Sequence, residues 1–207
     1  MAGNKKLDKL NIVQWNIQGL RARYQELRSI FYDNRISVAC LQETLLGDSQ
    51  WQPGKQYKIE KSPHLGGGNN RGVALLLHSS LQYTRTRLFT TIEAVAVTIH
   101  TGKEVTICSI YFSPNLNISK KEIRDLIRQL PRPEVNRVNR PSLLLGDFNA
   151  KHPLWDHHNP ADQRGRMIES IIVEESLKIM NEGAATHYHV QTNKLSSIDC
   201  HCAQWMP

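Results

Sequence analysis

No apolar run in this 207-residue chain approaches the length that crosses a bilayer, which takes about 20 consecutive residues. The first residues, 1–9, are polar and lysine-bearing, and no apolar segment follows them as a secretory leader would. Only four cysteines are present, too few and too scattered for the disulfide framework of a small secreted domain. A chain of this size builds a core without such staples. The expectation is an intracellular protein, nuclear or cytoplasmic. Cys40 and Cys108 stand in β-branched apolar runs, where a free thiol serves as a small hydrophobe. The glycine-rich stretch 66–72 lacks the lysine and hydroxyl residue of a P-loop and the spacing of a dinucleotide fingerprint. His152, His157, His158, His187 and His189 are spaced like no familiar zinc site. Neither a repeat nor a clear second domain is visible.

What the chain does have is positive charge, a formal net +7. Such a balance speaks to partners and not to fold. Nucleic acid is the commonest partner of a basic intracellular domain, because each lysine or arginine placed near a phosphate releases counterions.

Hydrophobic spacing predicts mixed α/β layers. Leu10–Trp15 and Ile36–Leu41 read as strands, and Leu20, Tyr24, Leu27 and Phe31 between them recur at helical spacing. Gly72–Leu77 is a short continuous apolar run, as in a buried strand. Glu93–Ile99 and Glu104–Tyr111 are β-branched runs joined by a glycine-bearing hairpin loop, His100–Lys103. Ser119 to Glu122 has the spacing of a capping box, with Ile123, Leu126, Ile127 and Leu130 on one helical face and Pro131 and Pro133 as stops. Ser142–Asp147 is a further buried strand. Met167, Ile168, Ile171 and Ile172 mark a helix that Asp162 caps. Ser196–Asp199 begins a last strand, for which no pairing partner is expected before Pro207.

Polar groups recur at or just past the ends of these apolar strands: Gln14-Trp15-Asn16, Gln42-Glu43-Thr44, Ser109-Ile110-Tyr111 and Gly146-Asp147-Phe148-Asn149. Each has an ordinary structural explanation when taken singly, as a cap, a solvated carboxylate, a sheet aromatic or a turn. Together they offer hard oxygen donors, amides and a phenol, without cysteine or histidine. That chemistry suits Mg²⁺ or Mn²⁺ over zinc. Phosphodiester cleavage calls for such a set: a carboxylate-held cation, a group to orient water, and donors to the non-bridging oxygens.

The order QWN, QET, a strand-ending tyrosine, GDFNA and SSID resembles the exonuclease–endonuclease–phosphatase superfamily. Within it, LNIVQWNIQGLRAR, LLLGDFNAKHPLWDH and SSID are similar to the apurinic-endonuclease-like domain of LINE-type (non-LTR, jockey-like) retrotransposons. The resemblance covers residues 10–199 and implies a DNase I-like, four-layer α/β/β/α sandwich of two mixed sheets. Carried over by residue, Glu43 and Asn16 would serve the metal, and Asp147 would position or deprotonate the attacking water. Asn149 and Tyr111 would contact the scissile phosphate, and Asp199 would support a catalytic histidine. Asn115 stands one position further from Tyr111 than in many relatives and is left out of the set.

The family closes with a Ser-Asp-His motif on a later strand. Residues 200–207 offer only CHCAQWMP, and His201 is too near Asp199 to stand in. The expectation is therefore a C-terminally truncated domain with an atypical tail at 200–207 and uncertain activity. DNA is the implied partner, with Arg21, Arg23, Arg71 and Lys151 as candidate phosphate contacts, and a reverse transcriptase domain would accompany it in the full-length element. Trp155 is expected to pack beneath its loop. Rival readings are a phosphoesterase of the same fold acting on another substrate, and a non-catalytic DNA-binding remnant.

Overall fold

The computed structural model describes residues 9–63, 71–131, 141–182, 186–189, 194–197 and 199–204. Expectations for the N-terminal tail before Lys9, for most of the glycine-rich stretch, for Ile198 and for residues 205–207 lie outside them.

Two mixed sheets pack face to face. The first has the order β1 (Ile12–Asn16), β2 (Val38–Gln42), β4 (Ala74–His78), β3 (Tyr57–Lys61). β1 and β2 are parallel because α1 (Leu20–Asn34) carries the chain back between them, and the other pairings are antiparallel. The second sheet runs β5 (Tyr83–Thr86), β6 (Glu93–Thr101), β7 (Lys103–Tyr111), β8 (Ser142–Asp147), β12 (Asp199–Gln204), β9 (Leu177–Ile179). Its β7–β8 pair is parallel, crossed over by α2 (Lys120–Arg128). A small hairpin, β10 (His187–His189) with β11 (Lys194–Ser196), stands apart.

Alternation along each strand sorts side chains into the layers. On β2, Val38 and Cys40 face the second sheet and join Leu75, Leu77, Val95, Val97 and Ile107 in the central core. Ala39 and Leu41 face the other way, against Leu20, Leu27 and Phe31 of α1. On the far side, Cys108, Ile110 and Leu144 pack against Ile123, Leu126 and Ile127 of α2 and Ile168, Ile171 and Ile172 of α3 (Gln163–Glu174). These faces build the α/β/β/α sandwich. Among the described residues no helix is long and apolar enough to cross a membrane.

Local signals hold where they were read. Ser119 and Glu122 close a reciprocal capping box on α2, and the Asp162 carboxylate accepts from Gly165 N–H at the start of α3. The β6–β7 turn is tighter than the hairpin loop expected, with Gly102 at φ +62° and pairing extended to Thr101↔Lys103. Trp155 is fully buried and donates its indole N–H to the Ala150 carbonyl at 3.0 Å.

The expected tail and unpaired last strand are corrected. Residues 199–204 form an interior strand whose partners lie earlier in the chain, β8 on one side and β9 on the other. The reason is the alternation in Cys200-His201-Cys202. Both thiols are buried and act as apolar side chains in the core under α2 and α3, while His201 lies on the opposite face, its ring nitrogen 3.3 Å from Gln14 Oε1.

Candidate active site

Parallel pairing brings the C-terminal ends of β1 and β2, and of β7 and β8, to one rim of the sandwich. Asn16 ends β1, Glu43 follows β2, Tyr111 ends β7 and Asp147 ends β8. Asp199 joins them from the start of antiparallel β12, as the register partner of Asp147. The residues expected from five separated motifs therefore meet.

Asn16 is the hinge between the sheets. Its Nδ2 donates to Glu43 Oε1 at 3.0 Å and to Asp147 Oδ2 at 2.9 Å. Tyr111 donates its hydroxyl to the same Glu43 Oε1 at 2.9 Å. Arg71 donates to the other oxygen, Oε2, at 2.6 Å. Burial alone would lift the Glu43 pKa, but the donors Asn16, Tyr111 and Arg71 outweigh it and hold the carboxyl below its usual range. Tyr111 is pushed well up, by burial first and then by its bond to Glu43, and stays a neutral phenol donor.

Asp147 has the opposite character. Burial and then the neighbouring Asp199 push its pKa up to about 7, against the lowering pull of Asn16 and of the Asn149 backbone N–H. A carboxyl in that range can hold or release a proton near neutrality, the property a general acid or base needs. Asn149, at φ +45°, turns back so that its N–H reaches Asp147 Oδ1 at 2.9 Å, and its side-chain amide donates to the Phe112 carbonyl at 3.0 Å.

Beneath this layer a buried amide chain ties the sheets together. Gln14 Nε2 donates to Gln42 Oε1 (2.6 Å) and to Asp199 Oδ1 (2.9 Å), and Gln42 Nε2 donates to Ser109 Oγ (2.9 Å). Above it a cavity of about 400 Å³ opens, lined by Gln18, Glu43, Arg71, Tyr111 and the 113–115 turn.

The residues fit a hard divalent cation. Asn16 Oδ1 is buried without a hydrogen-bond partner among the described residues, beside the ionised Glu43. Among the described residues no three His, Cys, Asp or Glu side chains converge as a metal cage. A cation here would rest on one carboxylate, an amide oxygen, water and substrate, the sparse oxygen set that Mg²⁺ accepts.

The candidate DNA contacts divide. Arg71 lies in the site. Arg21 and Arg23 occupy the exposed first turns of α1, Arg21 bonded to Ser49 Oγ. Lys151 is half-buried, its backbone exchanging bonds with Asp162.

Several residues at the site lie outside the expected set. Gln18 and Asn115, the latter left out for its spacing from Tyr111, line the cavity. Glu93, buried at the start of β6, accepts from the backbone N–H groups of Arg71 (3.2 Å) and Gly72 (2.6 Å). Arg164 points its guanidinium into a ring of carbonyls. Nη1 lies 3.4–3.5 Å from those of Phe112, Phe148 and Asn149, and Nη2 lies 2.9–3.4 Å from those of Ser113, Pro114 and Leu116. The loops after β7 and β8 are thus held by one side chain. No spacing rule marks an arginine whose acceptors are all backbone.

A family model described as the Endonuclease/Exonuclease/phosphatase family matches residues 13–199. The chain is 26% identical over 185 residues to the RNA-directed DNA polymerase from mobile element jockey of Drosophila melanogaster, covering 86% of this chain and 19% of that protein. It is 22% identical over 183 residues to the probable RNA-directed DNA polymerase from transposon X-element of the same organism, again with 86% and 19% covered. The chain thus spans about a fifth of the length of these curated relatives. Among solved structures, the endonuclease domain of TRAS1, a telomere-specific non-LTR retrotransposon, matches with TM-score 0.74 and 24% identity over 93% of this chain and 83% of that one. An AP endonuclease from Leishmania major matches with TM-score 0.70 and 13% identity over 93% and 78%. At these identities the likeness is one of fold.

Proposed function

The chain belongs to the endonuclease/exonuclease/phosphatase family, and from that premise we propose that it is the endonuclease domain of a LINE-type retrotransposon. Its reaction is hydrolysis of a phosphodiester in target DNA, dependent on Mg²⁺ or Mn²⁺, leaving a 3′ hydroxyl from which reverse transcription is primed. The observation that carries this reading is the pair of hydrogen bonds that Asn16 Nδ2 donates to Glu43 and Asp147, which joins the carboxylate proposed to bind the cation to a carboxyl that titrates near neutrality.

A bound cation supplies Lewis-acid neutralisation of phosphate charge. Glu43 and Asn16 would hold it. Asp147, as carboxylate, takes the proton of the attacking water and orients its lone pair toward phosphorus. Asn149 would offer a non-bridging oxygen the second hydrogen of its amide, the first being held by the Phe112 carbonyl, and the neutral phenol of Tyr111 would donate there on releasing Glu43 Oε1. Asp199 keeps Asp147 basic through its charge and fixes Gln14 beneath it. Arg71, Lys151, Arg21 and Arg23 are the proposed contacts to the DNA backbone. A reverse transcriptase would be carried by the same element, as the names of the curated relatives indicate for those proteins.

The test is nicking of supercoiled plasmid with Mg²⁺, run beside RNA and inositol phosphates. Conversion to open circle, lost in Glu43→Ala together with Mg²⁺ binding, is the expected result. Turnover of RNA or a phosphomonoester without nicking would favour a phosphoesterase of the same fold. DNA binding with no turnover of any substrate would favour a non-catalytic remnant.

A further inference from the structure

Glu43 is only 8% exposed, and of its three side-chain donors among the described residues, Asn16 and Tyr111 are neutral and share Oε1. The counter-charge comes from Arg71 alone among these donors, through Oε2. Arg71 is fixed at its backbone and exposed along its side chain. The backbone is held on both sides: Arg71 and Gly72 N–H donate to Glu93, and their carbonyls accept from Leu45 and Thr44 N–H at 2.9 and 3.0 Å. Closeness enforces this arrangement, since a Cβ on Gly72 would lie 2.7 Å from Thr44 Oγ1. The side chain, by contrast, is 54% exposed and spans the cavity wall to reach Glu43.

An exposed guanidinium can turn to solvent at little cost to itself, so the pair is held by the need of the buried carboxylate for a counter-charge, a need that a divalent cation can meet instead. Two cations cannot share one carboxylate oxygen without strong mutual repulsion. A guanidinium also matches phosphate oxygens with parallel donors.

We propose that Arg71 is the exchangeable counter-ion of Glu43. It neutralises the carboxylate while the cation site is empty, leaves it when a divalent cation takes that oxygen, and then turns into the cavity as a donor to the substrate phosphate. The inference rests on the assignment of Glu43 as cation ligand. It makes the phosphate contact of Arg71 conditional on the cation, and it couples cation and DNA binding through one side chain. A contact that must be broken before the cation binds is subtracted from its affinity, so removing Arg71 tightens that binding.

The experiment titrates Mn²⁺ into DNA-free protein, read by the loss of the free-ion electron paramagnetic resonance signal. Arg71→Gln is expected to bind Mn²⁺ about three- to tenfold more tightly than wild type. Arg28→Gln, an exposed charge on α1, serves as the charge-matched control and is expected to bind as wild type does. Anisotropy of a labelled duplex, in EDTA and in Ca²⁺, gives the second reading: Ca²⁺ strengthens DNA binding by wild type and does so much less in Arg71→Gln. Unchanged or weaker Mn²⁺ affinity in Arg71→Gln, or equal tightening in Arg28→Gln, overturns the exchange while the cation assignment stands. Mn²⁺ binding by Glu43→Gln as tight as wild type overturns the assignment itself, and the inference with it.

Discussion

Asp147 and Asp199 face each other as register partners across the β8–β12 ladder, and this proximity, added to burial, keeps a proton on Asp147 up to about pH 7. In the unfolded chain an aspartate releases its proton near pH 3.9. Between those two values the folded state holds more protons than the unfolded one, so stability falls as pH rises. The penalty is absent below about pH 4 and complete above about pH 7. In metal-free buffer the wild-type Tm is therefore expected to drop between pH 5 and pH 8. Asp147→Asn, which has no proton to lose, should flatten that slope. The charge relief at pH 8 is offset by the loss of one of the two acceptors that serve Asn16 and the Asn149 N–H, about 1–3 kcal/mol, so the flattened slope is the readout. Thermal melts across this range check it, and a parallel decline in both proteins would assign the slope to other groups.

The same substitution is expected to cost activity. The amide that replaces the carboxylate could accept from Asn16 or from the Asn149 N–H but not from both, and it could not take a proton from water. Loss of a general base typically lowers rate by about 10²–10⁴. The remaining activity should lose the rising limb that is expected of wild type near pH 7. Initial rates of plasmid nicking from pH 5.5 to 9 measure both. A limb that persists in Asp147→Asn would place the titrating group elsewhere.

Much of this site was legible because its chemistry sits at the ends of apolar strands. Asn16, Glu43, Tyr111 and Asp147 each follow a run whose burial fixes the strand, so placement at one rim followed from α/β crossovers. Less legible were elements without apolar contrast. β5 reads YTRT and β9 is three residues long, and neither stands out from loop sequence until a neighbouring strand supplies the ladder. β12 was misread for a related reason. Residues 200–207 read as a tail that lacks the family's histidine, when Cys200 and Cys202 are the buried half of an alternating strand. Glu93 and Arg164 act through backbone partners, which leave no trace in residue spacing.

Gly146 is required by close approach. A Cβ there would lie 1.9 Å from the Ile110 carbonyl oxygen on the parallel neighbour β7. Backbone cannot yield as a side chain can, so Gly146→Ala must spread the two strands that present Tyr111 and Asp147. Destabilisation of about 2–4 kcal/mol is expected, measured by urea unfolding of both proteins. A change under about 0.5 kcal/mol, the scale of an indifferent surface substitution, would show that the strands are not held so closely.

Binding to DNA should depend on salt. With a net charge of +7, duplex affinity is expected to fall at least about tenfold between 50 and 200 mM monovalent salt. Lys151→Ala and Arg23→Ala should each reduce the slope of log affinity against log salt by roughly one. Fluorescence anisotropy with a short duplex provides the slopes. An unchanged slope would remove that residue from the phosphate contacts.

Arg164 tests whether the loops after β7 and β8 depend on a common clasp. Its Nη1 touches carbonyls of Phe148 and Asn149 beside Asp147, and its Nη2 touches those of Ser113, Pro114 and Leu116 beyond Tyr111. Lysine at this position keeps the charge but offers a single ammonium, which cannot serve carbonyls on both sides with the fixed planar fork of a guanidinium. Arg164→Lys should therefore fold and bind duplex DNA within about twofold of wild type, since the proposed phosphate contacts are unchanged. The loops would be free to shift relative to each other, and a misplacement of about 1 Å at reacting groups can cost on the order of 10² in rate. The expected result is a kcat for nicking lowered by about 10–10² with little change in KM. Equal losses in DNA affinity and in rate would instead make Arg164 a substrate contact. A wild-type kcat would mean that the bond of Asn149 to the Phe112 carbonyl is enough to hold the loops together.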